Sequence, residues 1–258
     1  MAVAGKVPAV ASAVRVIERL AAEWPDAVTP RQLVDELQLN RSTCYNILST
    51  LQSAGWVRSL SDRGGWTLGP RLLTLTGVSR AVALRVMQDE IEDLSRRLGF
   101  VVFIAERDGS GGYVVVAKAE RRRGVRVTVS VGEYFEFSAP ALMNAFHAWS
   151  AEEEFDRAVE RHQIKQFTPN TLVDLADLHT ELKATRQRGY SISLQQFDVA
   201  QGGVAAPIFD RHGQVSCVIT TLAFASELHE GNVAEIGERV AACAARITQH
   251  LGGRPGTR

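Results

Sequence analysis

The sequence predicts an α+β protein in two parts: a small helical part closed by a β-hairpin, then a larger part built around a mostly antiparallel sheet. Three observations predict it. Residues 13–54 carry three short helical patterns separated by turns, and two brief extended segments follow them. From residue 100 onward, strand-like segments come as hairpins with helices grouped between them, the order expected of an α+β domain. Between the two parts, residues 70–98 read as one helical linker. The expected division is therefore 1–69, 70–98 and 99–258.

In the first part, Ala13, Ile17, Leu20, Ala21 and Trp24 recur at helical spacing, and Pro25 ends that helix. Thr29 before Pro30 is a helix start, a capping hydroxyl followed by proline at the first helical position. The helix it opens runs to Leu37 and buries Leu33 and Leu37. Asn40 is the N-cap expected for a third helix through Ala54, closed by Gly55. In it Cys44, Ile47, Leu48 and Leu51 form a narrow apolar stripe, which leaves Arg41, Ser42, Thr43, Tyr45 and Asn46 around the exposed amino-terminal end. Trp56–Leu60 and Gly65–Leu68 then flank the turn residues Ser61, Asp62, Arg63 and Gly64. Two helices joined by a tight turn and followed by a hairpin make a winged helix-turn-helix, whose third helix can offer an arginine and short polar side chains to a major groove.

The linker pattern (Leu72, Leu73, Val82, Leu84, Ile91, Leu94, Leu98) stops at Gly99, and Gly77 marks a point where it can break. Beyond it, Phe100–Glu106 and Tyr113–Ala119 are expected strands around the turn Asp108–Gly112. Val125–Val131 alternates as a half-buried strand would. Helices are expected over Pro140–Trp149, Ser150–His162 with a Ser150/Glu153 capping box, and Leu172–Arg188 ended by Gly189. Tyr190–Leu194, Gly203–Phe209 and Gln214–Ala223 are strands, and a helix over Gly231–Leu251 closes the chain.

Composition narrows the function classes. No apolar run reaches the roughly 18 residues that cross a bilayer, and the amino terminus has no signal-peptide pattern, so a cytoplasmic protein without membrane partners is expected. Cys44, Cys217 and Cys243 lie far apart in apolar patterns and read as reduced core thiols. The six histidines (His147, His162, His179, His212, His229 and His250) show no metal-ligand spacing, and no nucleophile elbow or phosphate-binding loop occurs. His147 and His229 read as surface or cap residues. No catalytic residue, metal site or cofactor is expected. Twenty-nine Lys and Arg balance 29 Asp and Glu, so any nucleic-acid affinity must come from a local basic face. Arg31, Arg58 and Arg63 join the third-helix residues as candidates for that face, with Arg71 beside them. Arg121, Arg122, Arg123 and Arg126 form the densest basic run and read as a solvated loop.

Three stretches resemble the IclR family of bacterial transcription regulators: 33–57 with 64–75, 167–193 with its Arg-Gly-Tyr, and 202–228 with Ala-Ala-Pro-Ile-Phe-Asp. The resemblance covers about residues 10 to 251. It implies a GAF-like effector domain, a homodimer often extended to a dimer of dimers, and a palindromic double-stranded DNA operator. The function implied is a DNA-binding regulator, most simply a repressor, controlled by a small-molecule effector. The alternative is a sensor or scaffold whose winged helix contacts protein. Relatives that take small oxo-acids present a carboxylate, a cysteine and serines on facing strands. The positions matching these are Ser193, Gly203, Thr220 and Leu222 here, and Phe135, Ala141, Leu142 and Met143 complete the expected effector site. Fewer polar partners make burial of a small, strongly solvated anion costly. The expected effector is accordingly larger and less polar, an aromatic acid, amide or ester; the competing expectation is a small or absent pocket.

Overall fold

A computed structural model describes residues 7–24, 26–60, 64–120 and 125–256, without the side chains of residues 73–81. The chain divides into two compact units, Met1–Ala81 and Val82–Arg258.

The first unit packs α1 (Pro8–Glu23), α2 (Pro30–Leu37) and α3 (Arg41–Ser53) against a hairpin of β1 (Val57–Leu60) and β2 (Gly65–Leu68). Its core is small: Val16, Leu20, Val28, Leu33, Cys44, Ile47, Leu48 and Val57. Thr29 and Gln32 cap α2 reciprocally: the Thr29 N–H donates to Gln32 Oε1 at 2.9 Å, and the Gln32 N–H donates to Thr29 Oγ1 at 3.3 Å. The turn into α3 places Gln38 in the left-handed region, φ 53°. Asn40 precedes α3 but does not cap its backbone; its Oδ1 accepts from the Thr43 hydroxyl at 2.8 Å. Arg19 on α1 binds Glu36 on α2 and Glu23 on its own helix. That guanidinium holds the Glu36 carboxyl below its ordinary range. The hairpin gains a partner that local periodicity does not reveal. Val28 and Trp66 exchange backbone hydrogen bonds of 2.9 and 2.8 Å, so the α1–α2 segment becomes a third extended element of the wing. Gly69 must be glycine, because a Cβ there would stand 2.2 Å from the Gly55 carbonyl oxygen.

After a 3₁₀ turn over Pro70–Leu75, α4 runs without interruption over Thr76–Leu98, passing through Gly77. The change of helix type thus falls at Leu75–Thr76, not at the glycine.

The second unit is a six-stranded sheet, antiparallel throughout. Its strands are β3 (Val101–Arg107), β4 (Tyr113–Ala119), β5 (Tyr134–Phe135), β6 (Ser191–Leu194), β7 (Gln201–Phe209) and β8 (Val215–Phe224), ordered β5-β4-β3-β8-β7-β6. Strand alternation divides its side chains. Val102, Ile104, Val204, Ala206, Ile208, Cys217 and Ile219 pack with Ile91 and Leu94 of α4 and with Val240, Cys243 and Ile247 of α8 (Val233–His250). The other face, including Val101, Phe103, Ala105, Ala205 and Val218, meets α5 (Pro140–His147), α6 (Glu152–His162) and α7 (Leu175–Arg188). Pro207 is tolerated inside β7 because β6 pairs only with residues 202–205, so that beyond Ala205 no strand among the described residues flanks β7 on that side.

Two expected elements are absent as such. Residues 125–131 form no strand, and side chains hold them instead: Lys118 Nζ donates to the Val129 carbonyl at 2.7 Å, while Thr128 and Arg126 bind Glu120. Only Val129 among the valines there is buried; Val125 is 93% exposed. The Ser150 capping box does not form either. Ala151 is the residue before α6, and Glu152, Glu153 and Glu154 in the first turn complement the helix dipole. Asp174 caps α7 through the Ala176 and Asp177 amides, so that helix starts three residues later than expected.

The two sequence motifs have structural work. Gly189 ends α7 at φ 86°, and Tyr190 lays its ring against Gly237 of α8. Asp210 closes the β7–β8 turn by accepting from the amides of His212 and Gln214 at 2.8 and 2.9 Å. All three cysteines are free and buried, and burial pushes the Cys217 and Cys243 thiols up to about 12.

Candidate nucleic-acid interface and ligand cavity

Helix α3 separates its faces sharply. Cys44, Ile47 and Leu48 are buried, while Arg41, Ser42, Tyr45 and Asn46 are exposed and Thr43 is half-buried with its hydroxyl committed to Asn40. The first turn of α3 therefore presents one cation, one hydroxyl, one phenol and one amide to solvent. Arg31, at the start of α2, pairs loosely with Asp35 at 3.7 Å, with side chains 91% and 66% exposed. An ion pair so exposed contributes little, so the guanidinium can exchange its partner for a phosphate at small cost. Arg58 lies exposed on β1 opposite Thr67. Arg71 packs its Cβ 3.5 Å from where a Gly55 Cβ would lie. Arg63 lies outside the described residues, as do Arg121, Arg122 and Arg123.

In the second unit, seven of the eight expected effector residues line one cavity. Phe135, Ala141, Leu142, Ser193, Gly203, Thr220 and Leu222 surround it, joined by Phe103, Phe197, Gln201 and the turn into α5. Sheet register brings them together. Ser193 stands opposite Gly203, which stands opposite Leu222, and Thr220 lies between Phe103 and Ala205 on its flanking strands. Helix α5 roofs this patch. All eight of its residues are buried, and Ser191 Oγ of β6 donates to the Ala141 carbonyl at 2.7 Å. Met143 is the exception among the expected residues. It is 1% exposed and belongs to the packed core instead of the cavity wall.

Phe103, Phe135 and Phe197 make the walls aromatic, with ring centroids 5.8 Å apart for the first pair and 5.9 Å for the second. Phe103 and Phe197 were not legible as site residues, since each reads only as one apolar position among many. The polar complement is Ser193, Gln201 and Thr220, and Thr220 Oγ1 is buried without a hydrogen-bond partner. The enclosed volume is about 30 Å³, enough for about one water molecule. Gly203 opens one wall, yet Leu222 already leans into that space: a Cβ on Gly203 would meet Leu222 Cδ2 at 2.9 Å.

The histidines divide by environment. His229 is exposed in the turn before α8, where its Nδ1 accepts from the Gly231 amide at 3.1 Å. His147, expected as a surface or cap residue, is buried at the end of α5, and burial lowers its pKa to about 3. No group of three or more metal-ligating side chains occurs among the described residues. No described helix is long and apolar enough to cross a membrane.

A winged helix whose recognition helix turns polar side chains outward, in one chain with an α+β unit enclosing a cavity, defines a DNA-binding regulator with an effector-binding carboxy-terminal domain. Residues 9–61 match the IclR helix-turn-helix domain, and residues 76–249 match the carboxy-terminal domain of the bacterial transcriptional regulator IclR. The chain belongs to the IclR family. It is 25% identical over 252 residues to the transcriptional repressor IclR of Escherichia coli K12, covering 96% of this chain and 92% of that one. It is 29% identical over 221 residues to the transcriptional repressor AllR of Salmonella paratyphi A, covering 85% and 81%. Among solved structures, a putative IclR regulator from Silicibacter sp. superposes with a TM-score of 0.74 at 22% identity, covering 96% of this chain and 97% of that one. The Agobacterium tumefaciens repressor BlcR does so at 0.70 and 22%, covering 97% and 100%. These are families of regulators, not enzymes.

Proposed function

We propose that this regulator is a cytoplasmic repressor that binds a palindromic operator as a homodimer or a dimer of dimers and is controlled by an aromatic acid, amide or ester. Residues 1–69 would bind DNA, 70–98 link, and 99–258 sense. The observation that carries the effector reading is the cavity wall: three phenylalanine rings against one orphan hydroxyl and few other polar groups. Such a wall favours a ring over a small, strongly hydrated oxo-acid. The first turn of α5 borders the cavity, and its amides have no partner inside the helix, so a carboxylate or carbonyl of the ligand has donors at hand.

An aromatic ring needs about 150 Å³, far more than the cavity now encloses. Binding therefore requires movement, and Phe197, 36% exposed, and Leu222 are the side chains placed to swing aside. On the DNA side, Arg41, Tyr45 and Asn46 would reach base edges, while Ser42, Thr43, Arg31, Arg58 and Arg63 would meet phosphates. Dimerisation multiplies two modest half-site affinities, which matters for a chain with no net charge.

Two measurements test this together. A gel shift with the DNA upstream of the protein's own coding region should give a specific complex. A thermal-shift screen should show stabilisation by benzoate-type acids, amides or esters. Stabilisation only by glyoxylate or pyruvate would remove the aromatic effector, and no specific shift with or without ligands would remove the operator.

A further inference from the structure

The carboxy-terminal end of α5 borders a second cavity, of about 280 Å³, that the effector reading does not use. Its floor holds two buried polar groups without partners, the hydroxyl of Tyr113 and Nδ1 of His147; the two residues are 0% and 6% exposed. A buried donor or acceptor left unsatisfied is costly, so two on one cavity floor call for an occupant. The surrounding side chains say what kind.

Arg107 is held in place between them. Its guanidinium donates to the Phe146 carbonyl at 2.8 Å and lies 5.2 Å over the Phe146 ring, on which Tyr113 stacks at 4.8 Å. Arg157 and Arg161, one helical turn apart on α6, stand on the same wall. Arg157 Nε donates to the Glu153 carbonyl, a neutral acceptor that does not itself offset the charge. Of the two carboxylates on the wall, Asp108 is taken up by the amides of Ser110 and Gly112 and by the Ser110 hydroxyl. Glu154 is the other. Three guanidinium groups thus face two carboxylates, one of them already occupied. Phe137, whose ring lies 5.4 Å from His147 and 5.1 Å from His162, supplies an apolar side.

We propose that this cavity is a second ligand site, which takes a small oxyanion, carboxylate or phosphate, bearing a hydroxyl or carbonyl group. The guanidinium groups hold the anionic oxygens, and the hydroxyl or carbonyl reaches Tyr113 and His147. Burial keeps His147 neutral, so it can donate or accept there without adding charge to the floor. The cavity, about 280 Å³, has room for a compact acid.

Isothermal titration of the full-length protein with citrate and with inorganic phosphate, at constant ionic strength held by chloride, tests the site. At least one probe should bind with defined stoichiometry, and the pair separates carboxylate from phosphate. Arg161→Gln, on an exposed position, should weaken that binding about tenfold, the loss expected of one charge-assisted hydrogen bond. Tyr113→Phe keeps the ring stack and should weaken it threefold or more. Benzoate should not compete. The site is refuted if neither probe binds above the chloride control, or if binding is indifferent to Arg161→Gln, in which case the cavity holds water alone. Because Arg161 is exposed, that variant remains informative even if Tyr113→Phe fails to fold.

Discussion

Thr220→Val isolates the chemistry of the effector cavity with a change of one atom group. Thr220 is 1% exposed, it lies on β8 between Phe103 and Ala205, and its hydroxyl has no partner. An unsatisfied buried hydroxyl costs about 1–3 kcal/mol, and valine keeps the branched shape that a central strand favours. Taking the lower end, because part of that cost is recovered by local adjustment, the substitution should stabilise the second unit by about 1 kcal/mol. For a unit of this size that raises the melting temperature by about 2–4 °C. The same change should reduce the stabilisation conferred by whichever aromatic acid binds the wild type, since the ligand loses the one cavity hydroxyl that has no partner in the protein. Calorimetric melting of wild type and variant, with and without that acid, measures both effects. An unchanged or lowered melting temperature in the free variant would refute the reasoning. It would mean that a trapped water, for which the cavity has room, already satisfies the hydroxyl.

Three other outcomes follow from named contacts. Arg41→Ala should weaken operator binding by about 1–3 kcal/mol and relax specificity at one operator position, as loss of a base contact does; a loss uniform across sequences, with the salt slope reduced by about 1, would instead indicate a phosphate contact, and an unchanged affinity would remove Arg41 from the interface. His147 should make the second unit acid-sensitive. Its pKa falls from 6.5 to about 3 on folding, so the neutral ring's contribution is complete above 6.5 and is lost as pH falls toward 3, by roughly 1 kcal/mol per pH unit. Melting temperatures between pH 6.5 and 5.5, where few carboxylates titrate, should therefore fall less steeply in His147→Gln than in wild type; parallel slopes would count against this. Gly237→Ala should destabilise by about 1–3 kcal/mol, because the new Cβ would stand 2.1 Å from Tyr190 Cε2 and the ring is held between α8 and the sheet. A denaturant midpoint equal to the wild type would show that the ring moves freely.

Local patterns made much of the first unit legible. The Thr29–Pro30 start, the stripe of Cys44, Ile47 and Leu48, and the Gly55 stop each act within a few residues, so spacing alone places α2 and α3 and turns Arg41, Tyr45 and Asn46 outward. The same logic failed over 125–131. Alternation there describes which side chains can be buried, but a strand also needs a neighbour with free hydrogen bonds; instead Lys118 reaches the Val129 carbonyl and Glu120 binds the side chains of Thr128 and Arg126. The Ser150 cap failed for a related reason. The Ser150 carbonyl accepts from Arg186, 36 residues away, an anchor no local motif announces.

What the sequence by itself determined, then, is the order and type of most elements (though neither the missing strand at 125–131 nor β5), the family, and seven residues that meet in one cavity, because strand alternation and family motifs are carried by neighbouring positions. Only the tertiary structure decided how those positions pair. The bridge from Val28 to Trp66, the register that sets Leu222 against Gly203, the aromatic walls of Phe103 and Phe197, and the orphan groups of Tyr113 and His147 all depend on partners distant in the chain. Periodicity encodes which face a residue takes. Cavity volume and hydrogen-bond satisfaction arise only when faces from different elements close on one another.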